Sequence, residues 1–181
     1  MNIRWKLILT IGTALIINLA VSYYAAYVSV SASGVSEKAF QVVVDSLSTQ
    51  VHFKKQVQEW KNILLRGHEP GLYKKYLAQF HQEERLTRGE TSHLLSLLDP
   101  QSEAWRTANA FFAAHHRLGF QYMSALKSFN PDRQGAQFQV DKLVRCIDRK
   151  PTDLMDSVVS SILRIICSWL MQASDWCISR R

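Results

Sequence analysis

The feature that most constrains this chain is an uncharged stretch of 24 residues from Leu7 to Val30. As a helix it would span about 36 Å, enough for the hydrocarbon core of a bilayer, where backbone groups must bond to one another. Arg4 and Lys6 precede this stretch, and aromatic side chains lie near its far end: Tyr23, Tyr24 and Tyr27. The sequence therefore predicts a transmembrane helix over residues 7–30, with residues 1–6 in the cytoplasm and the following domain outside.

A cleaved secretory signal peptide is the alternative interpretation of the same stretch, because signal peptides also begin basic and then become apolar. The small residues Ser31, Ala32 and Ser33 would suit a cleavage site. The apolar run is longer than the core of an ordinary signal peptide, which favours a retained anchor.

Composition limits the remaining function classes. The net charge is +7, but between residues 34 and 160 there are 17 Lys and Arg against 14 Asp and Glu. The other basic residues flank the ends, where membrane topology explains them, so nucleic-acid binding is not expected. The three cysteines have no metal or redox spacing, and no catalytic constellation stands out. The sequence predicts neither a cofactor nor a metal, and it does not predict an enzyme.

Three breaks divide the rest of the chain into segments of about 30 residues: Gly67–Gly71, Leu98–Pro100 and Phe129–Pro131. Gly67 is predicted to end a helix. Asp99 and Asn130 are predicted N-caps, each followed by proline at the first helical position. We expect four long helices.

Apolar residues recur at helical spacing in every segment. In the first, the stripe comprises Phe40, Val44, Leu47 and Val51, then Phe53, Val57, Trp60 and Leu64. The second contains Tyr73, Tyr76, Leu77 and Phe80, then Leu94, Leu95, Leu97 and Leu98; the third contains Trp105, Ala108, Phe112, His115, Gly119, Tyr122, Leu126 and Phe129. The fourth contains Val140, Val144, Ile147, Leu154 and Val158. The two-residue shift after Val51 predicts a stutter or a change of facing partner.

Such stripes predict an all-α fold, in which the N-terminal transmembrane helix is followed by an up-down-up-down four-helix bundle over residues 31–160. Pro151 should kink or break the fourth helix. That helix would return to the membrane, and residues 157–179 are long enough to cross it. They contain Arg164 and Asp175, and one Arg at mid-membrane costs about 2.5–3.5 kcal/mol. Residues 161–181 are therefore either a divergent tail or a marginal second membrane segment.

Several strings resemble the extracytoplasmic sensor of bacterial methyl-accepting chemotaxis proteins, a sensor type also fused to diguanylate cyclases. The strings are Phe53–Gly67 with Tyr73–Tyr76, Ala114–Gly119 with Tyr122, and Val140–Arg145 followed by Ile147–Arg149 and Pro151–Asp156. The resemblance implies a periplasmic helical bundle between two helices of the inner membrane, which relays a signal inward. It also implies a homodimer, or a heterodimer with related receptors, and leaves a small-molecule ligand open.

The chain departs from that pattern after Ser160, because no HAMP linker or signalling coiled coil follows. One hypothesis is a truncated or frameshifted receptor gene that lacks the cytoplasmic output module. The alternative is a membrane-anchored helical binding or structural protein that does not signal.

Four residues are candidates for ligand contact: His115, Glu84, Thr87 and Tyr122. His115 and Tyr122 lie on the apolar stripe of the third helix, so each is either a core residue or a ligand contact. Glu84 and Thr87 interrupt the stripe of the second helix, where a polar gap indicates either a cavity or an exposed face.

Overall fold

The computed structural model describes the backbone of residues 3–178 and the side chains of residues 5, 12–27 and 37–167. Within these residues there are five α-helices and no strand: α1 (Ile3–Arg66), α2 (Pro70–Leu97), α3 (Glu103–Leu126), α4 (Ala136–Val144) and α5 (Arg149–Ile178). The prediction of an all-α fold is confirmed. The chain divides into two compact units, Met1–Phe40 and Gln41–Arg181.

The first unit is helical from Ile3 onward, and its described apolar side chains from Leu15 to Tyr27 are largely exposed. Among the described residues, no helix has the length and apolarity needed to cross a membrane. The predicted spans at 7–30 and 157–179 include side chains outside the described set, namely residues 7–11, 28–30 and 168–179. Both spans therefore stay predictions.

The breaks between helices lie where proline and glycine predicted them, and α1 ends directly before Gly67 as predicted, but the two predicted N-caps are wrong. Asp99 Oδ1 accepts the N–H of Gln101 in a turn, and α3 is capped instead by Ser102, whose Oγ accepts the N–H of Trp105 at 3.1 Å. Asn130 likewise accepts the N–H of Asp132, and α4 begins only after Gly135. In both cases the Asx side chain bonds two residues ahead, which forms a turn before the helix rather than the helix start.

The second unit is a helical bundle whose first three helices alternate in direction. The Arg66–Tyr76 and Asp45–His93 hydrogen bonds show that α1 and α2 are antiparallel. Contacts of Phe53 with Phe111 and Trp60 with Tyr122 show that α1 and α3 are parallel. The core contains aromatic and aliphatic side chains from all five helices, among them Phe53, Ile63, Phe80, Phe111, Leu118, Val140, Met155 and Ile162.

Upstream of Phe53 the inward face of α1 differs from the predicted one, whereas Phe53, Trp60 and Leu64 are buried as predicted. Val44, Leu47 and Val51 are exposed, as is Phe40, whereas Asp45, Ser46 and Thr49 are buried. The buried face continues without a shift through positions 46, 49, 53, 56, 60 and 63. The predicted stutter is therefore wrong: the helix keeps one face inward, and the residues on its upstream part are polar.

The predicted fourth helix is two helices. α4 ends at Val144, and α5 starts at Arg149 with Pro151 in its first turn, where proline needs no hydrogen-bond donor. Between them Cys146 has a positive φ of 64°, which turns the chain out of the helix. The predicted break at Pro151 is confirmed, and Val140, Val144 and Val158 are buried as predicted.

Candidate functional site: a buried polar layer between three helices

Buried polar side chains lie where the upstream part of the α1 bundle face meets α2 and α3. We call them the polar layer: Asp45, Ser46, Thr49 and Gln56 of α1, Thr87 and Thr91 of α2, and His115 of α3. Buried polar groups cost free energy unless they are hydrogen-bonded, so their partners decide what the layer can do.

Two histidine–carboxylate pairs join α1 to α2 at this layer. His93 Nδ1–H donates to Asp45 Oδ2 at 2.6 Å, while Gln41 Nε2 donates to the other oxygen of the same carboxylate at 2.7 Å. His52 Nδ1–H donates to Glu83 Oε2, also at 2.6 Å. Asp45 is only 3% exposed, so its two donors are what make burial of this carboxylate tolerable.

His115 is fully buried and is bonded to α1. Its Nε2 lies 2.6 Å from Gln56 Oε1, which accepts the ring N–H. Burial, and to a smaller extent the nearby Arg88 and His116, together lower the pKa of His115 to about 4. The imidazole is therefore neutral at physiological pH, packed on Phe53 and Phe111 at centroid distances of 5.8 and 5.7 Å.

Tyr122 belongs to an aromatic cluster rather than to an open site. Its ring stacks on Trp60 with centroids 4.3 Å apart and contacts Phe80 edge-on at 6.0 Å. Burial raises the pKa of its hydroxyl, and the carboxylates of Asp148 and Asp141 raise it further. The phenol therefore stays protonated and packs as part of the core.

Glu84 approaches α3 at Gly119, one turn from both His115 and Tyr122. A Cβ atom at position 119 would collide with Glu84 Oε1. The lack of a side chain at Gly119 therefore leaves room for the Glu84 carboxylate. Glu84 Oε2 also accepts from His81 Nδ1 at 3.2 Å. The structure thus brings Glu84 to the part of α3 that carries the predicted site residues His115 and Tyr122.

Thr87, the fourth predicted residue, is buried with its hydroxyl donating to the Glu83 carbonyl at 2.8 Å. The predicted polar gap in α2 therefore faces inward. Two cavities among the described residues lie elsewhere, and neither includes any of the four residues. One, of about 260 Å³, is lined by α2 residues between Arg85 and His93, and the other, of about 320 Å³, lies beside the α3–α4 loop near His68 and Arg133.

Sequence reasoning missed Asp45, His52, Gln56 and His93 because these residues are polar. On α1, the apolar stripe on the opposite side of the helix was taken as the face toward the bundle. A usable signal was present: the 3–4 spacing that ends at Trp60 extends backward through Gln56, Phe53, Thr49 and Ser46 without interruption. Within the described residues no group of three or more His, Cys, Asp or Glu side chains is arranged to hold a metal ion.

Comparisons with known proteins agree with a chemoreceptor relationship. No protein-family profile matches the chain, and no solved structure matches it. Over 117 residues, 64% of this chain, it is 32% identical to the methyl-accepting chemotaxis protein CtpH of Pseudomonas aeruginosa. The matched part is 20% of that relative's length. This chain therefore contains a region related to a methyl-accepting chemotaxis protein.

Proposed function

We propose that this chain is the membrane-anchored, extracytoplasmic sensor region of a chemotaxis receptor, and that it acts by binding and by relaying helix movement rather than by catalysis. The observation that carries the proposal is the 32% identity to a methyl-accepting chemotaxis protein over 117 residues. The matched length is the size of a helical bundle, and the second unit of this chain is such a bundle.

Anchoring rests on the sequence. The uncharged residues 7–30, preceded by Arg4 and Lys6, have the length and flanking charge of a membrane helix with the N-terminus in the cytoplasm. Residues 31–160 would then lie outside the inner membrane. Fusion of alkaline phosphatase after Ser160 tests this orientation. We expect an active enzyme that stays with the membrane after alkaline extraction, and an inactive fusion would refute it.

Dimerisation is supported by the outward face of α1. Val44, Leu47 and Val51 form an exposed apolar stripe at 3–4 spacing, on the side opposite the polar layer. Burying it against a second copy would gain hydrophobic free energy, and a 3–4 stripe suits helix–helix pairing. The partner would be the same chain or a related receptor.

Site-directed disulfide formation tests that pairing. Leu47→Cys, in a chain whose native cysteines are replaced by serine, should give a covalent dimer on mild oxidation of the membranes. Arg117→Cys, exposed on α3, is the matched control and should remain monomeric. Equal cross-linking at both positions would reflect random collision and would contradict the proposed face.

Ligand sensing is proposed at the α2–α3 contact, where Glu84 approaches Gly119 between His115 and Tyr122. Closure or opening of this contact would change how the helices pack, which is what a receptor needs to transmit. The buried Thr87 adds a hydroxyl on the same face of α2.

A domain exchange tests the whole proposal. The 117 matched residues of the Pseudomonas aeruginosa receptor are replaced by the corresponding residues of this chain, and swimming reversals are recorded in a strain without other receptors. We expect the chimera to set the reversal frequency and to respond to some attractants. The exchange carrying Glu84→Gln should keep the basal frequency and alter the response.

Membrane levels of the chimera are the control. A chimera that inserts at the normal level but leaves reversals as in the receptorless strain would refute a signalling role. That outcome would favour a membrane-anchored binding protein that does not signal.

A further inference from the structure

Three fully buried polar atoms of the polar layer have no hydrogen-bond partner among the described residues: Thr49 Oγ1, Gln56 Nε2 and His115 Nδ1. All three residues are 0% exposed. Native proteins rarely leave such atoms unbonded, because burial removes their hydrogen bonds to water without replacing them.

The three atoms lie at two separate positions in the bundle. Gln56 Nε2 and His115 Nδ1 belong to side chains that are bonded to each other through Gln56 Oε1. Thr49 lies two helical turns away on α1, about 10 Å along the axis. A single water-sized molecule therefore cannot bond to atoms at both positions.

The polar groups around the three atoms restrict the charge and the hydrogen-bonding capacity of a ligand. Thr49 is bracketed along α1 by the Asp45–His93 and His52–Glu83 pairs, so both nearby carboxylates already have donors. Gln56 Nε2 can only donate, and the neutral His115 Nδ1 can only accept, since its proton is on Nε2. A ligand here must be uncharged and must both accept and donate.

The side chains around Thr49 limit the size of a ligand there. The pairings of Phe53 with Phe111 and of Gln56 with His115 place Ala108 of α3 nearly level with Thr49. Ala108 is buried, and its side chain is a single methyl group, which takes up little of the interior at this level.

We propose that the polar layer is an internal hydration site that holds at least two water molecules, one bonded to Thr49 Oγ1 and one to the Gln56–His115 pair. Water has the required size, neutrality and double hydrogen-bonding capacity, and buried water commonly satisfies such groups. The site depends on the bundle alone and would exist whether or not the chain is a sensor.

Water-selective nuclear Overhauser spectroscopy on the labelled full chain in micelles tests the proposal. We expect slow-water cross-peaks to the Thr49 methyl group and to the Gln56 side-chain amide. Thr49→Val keeps the shape of the side chain and removes the hydroxyl. It should abolish the water peak near position 49 and leave the Gln56 peak unchanged.

Thr91→Val is the matched control, because the Thr91 hydroxyl is equally buried but already donates to the Thr87 carbonyl at 2.6 Å. It should leave both water peaks in place. Circular dichroism verifies that each variant is folded. Absence of both peaks in the unmodified chain would overturn the proposal. A high-resolution crystal structure with a molecule larger than water bonded to these atoms would also overturn it.

Discussion

The buried His115 should make the stability of this protein depend on pH in a direction that the structure fixes. Its pKa is about 4 in the folded chain, against an ordinary value of 6.5. Between pH 6.5 and pH 4, His115 therefore binds a proton in the unfolded chain but stays largely unprotonated in the folded chain. The stability that neutral His115 contributes is complete above pH 6.5 and is lost as the pH falls toward 4.

The magnitude follows from the shift. A displacement of about 2.5 pKa units corresponds to about 3 kcal/mol, and between pH 7.5 and pH 5.0 the loss amounts to about 2 kcal/mol. Other groups also titrate in this range, so the informative quantity is a difference between variants. In His115→Gln, the drop in unfolding free energy between the two pH values should be smaller by about 2 kcal/mol.

Urea unfolding of the full chain in a mild detergent, followed by circular dichroism, measures this difference. His116→Gln is the matched control, because His116 is the exposed neighbour on the same helix. It should change the pH dependence less than His115→Gln does, because His116 is the smallest of the three causes that lower the pKa of His115. Equal pH dependence in the unmodified chain and in His115→Gln would refute the argument that burial keeps His115 neutral.

Four single substitutions and one double variant test packing and backbone conformation in the same urea assay. Phe53→Ala should cost about 3–5 kcal/mol, because Phe53 is 1% exposed and its ring contacts Phe111; a loss below 1 kcal/mol would contradict its place in the core. Gly135→Ala should cost about 1 kcal/mol because φ is +80° there, whereas Gly71→Ala, in open space in the first turn of α2, should stabilise slightly. Gly119→Ala should destabilise through its collision with Glu84, and most of that loss should disappear in the double variant with Glu84→Ala; additive losses would exclude the contact.

The polar layer shows why the candidate site was only partly predictable. His115 was identifiable because it lies on a regular apolar stripe of α3, and it is buried there. Its partner Gln56, and the pairs Asp45–His93 and His52–Glu83, join residues more than 30 positions apart. A hydropathy pattern assigns such residues to the surface, and only a partner from another helix makes their burial favourable.

Sequence alone determined that the described chain is helical and where its helices are interrupted. Both follow from local physics: the 3–4 spacing of apolar residues favours amphipathic helices, and proline and glycine end them near Gly67, Pro100 and Pro131. The position of Pro151 likewise determined that the predicted fourth helix is broken.

Tertiary structure decided which side of α1 faces the bundle. The exposed stripe of Val44, Leu47 and Val51 is the more apolar one, so hydrophobicity alone chose the wrong face. A straight helix can present only one continuous face to its neighbours, and the well-packed Phe53 and Trp60 fix that face. The residues upstream on the same face are therefore buried whatever their polarity, and hydrogen bonds from α2 and α3 compensate most of the cost.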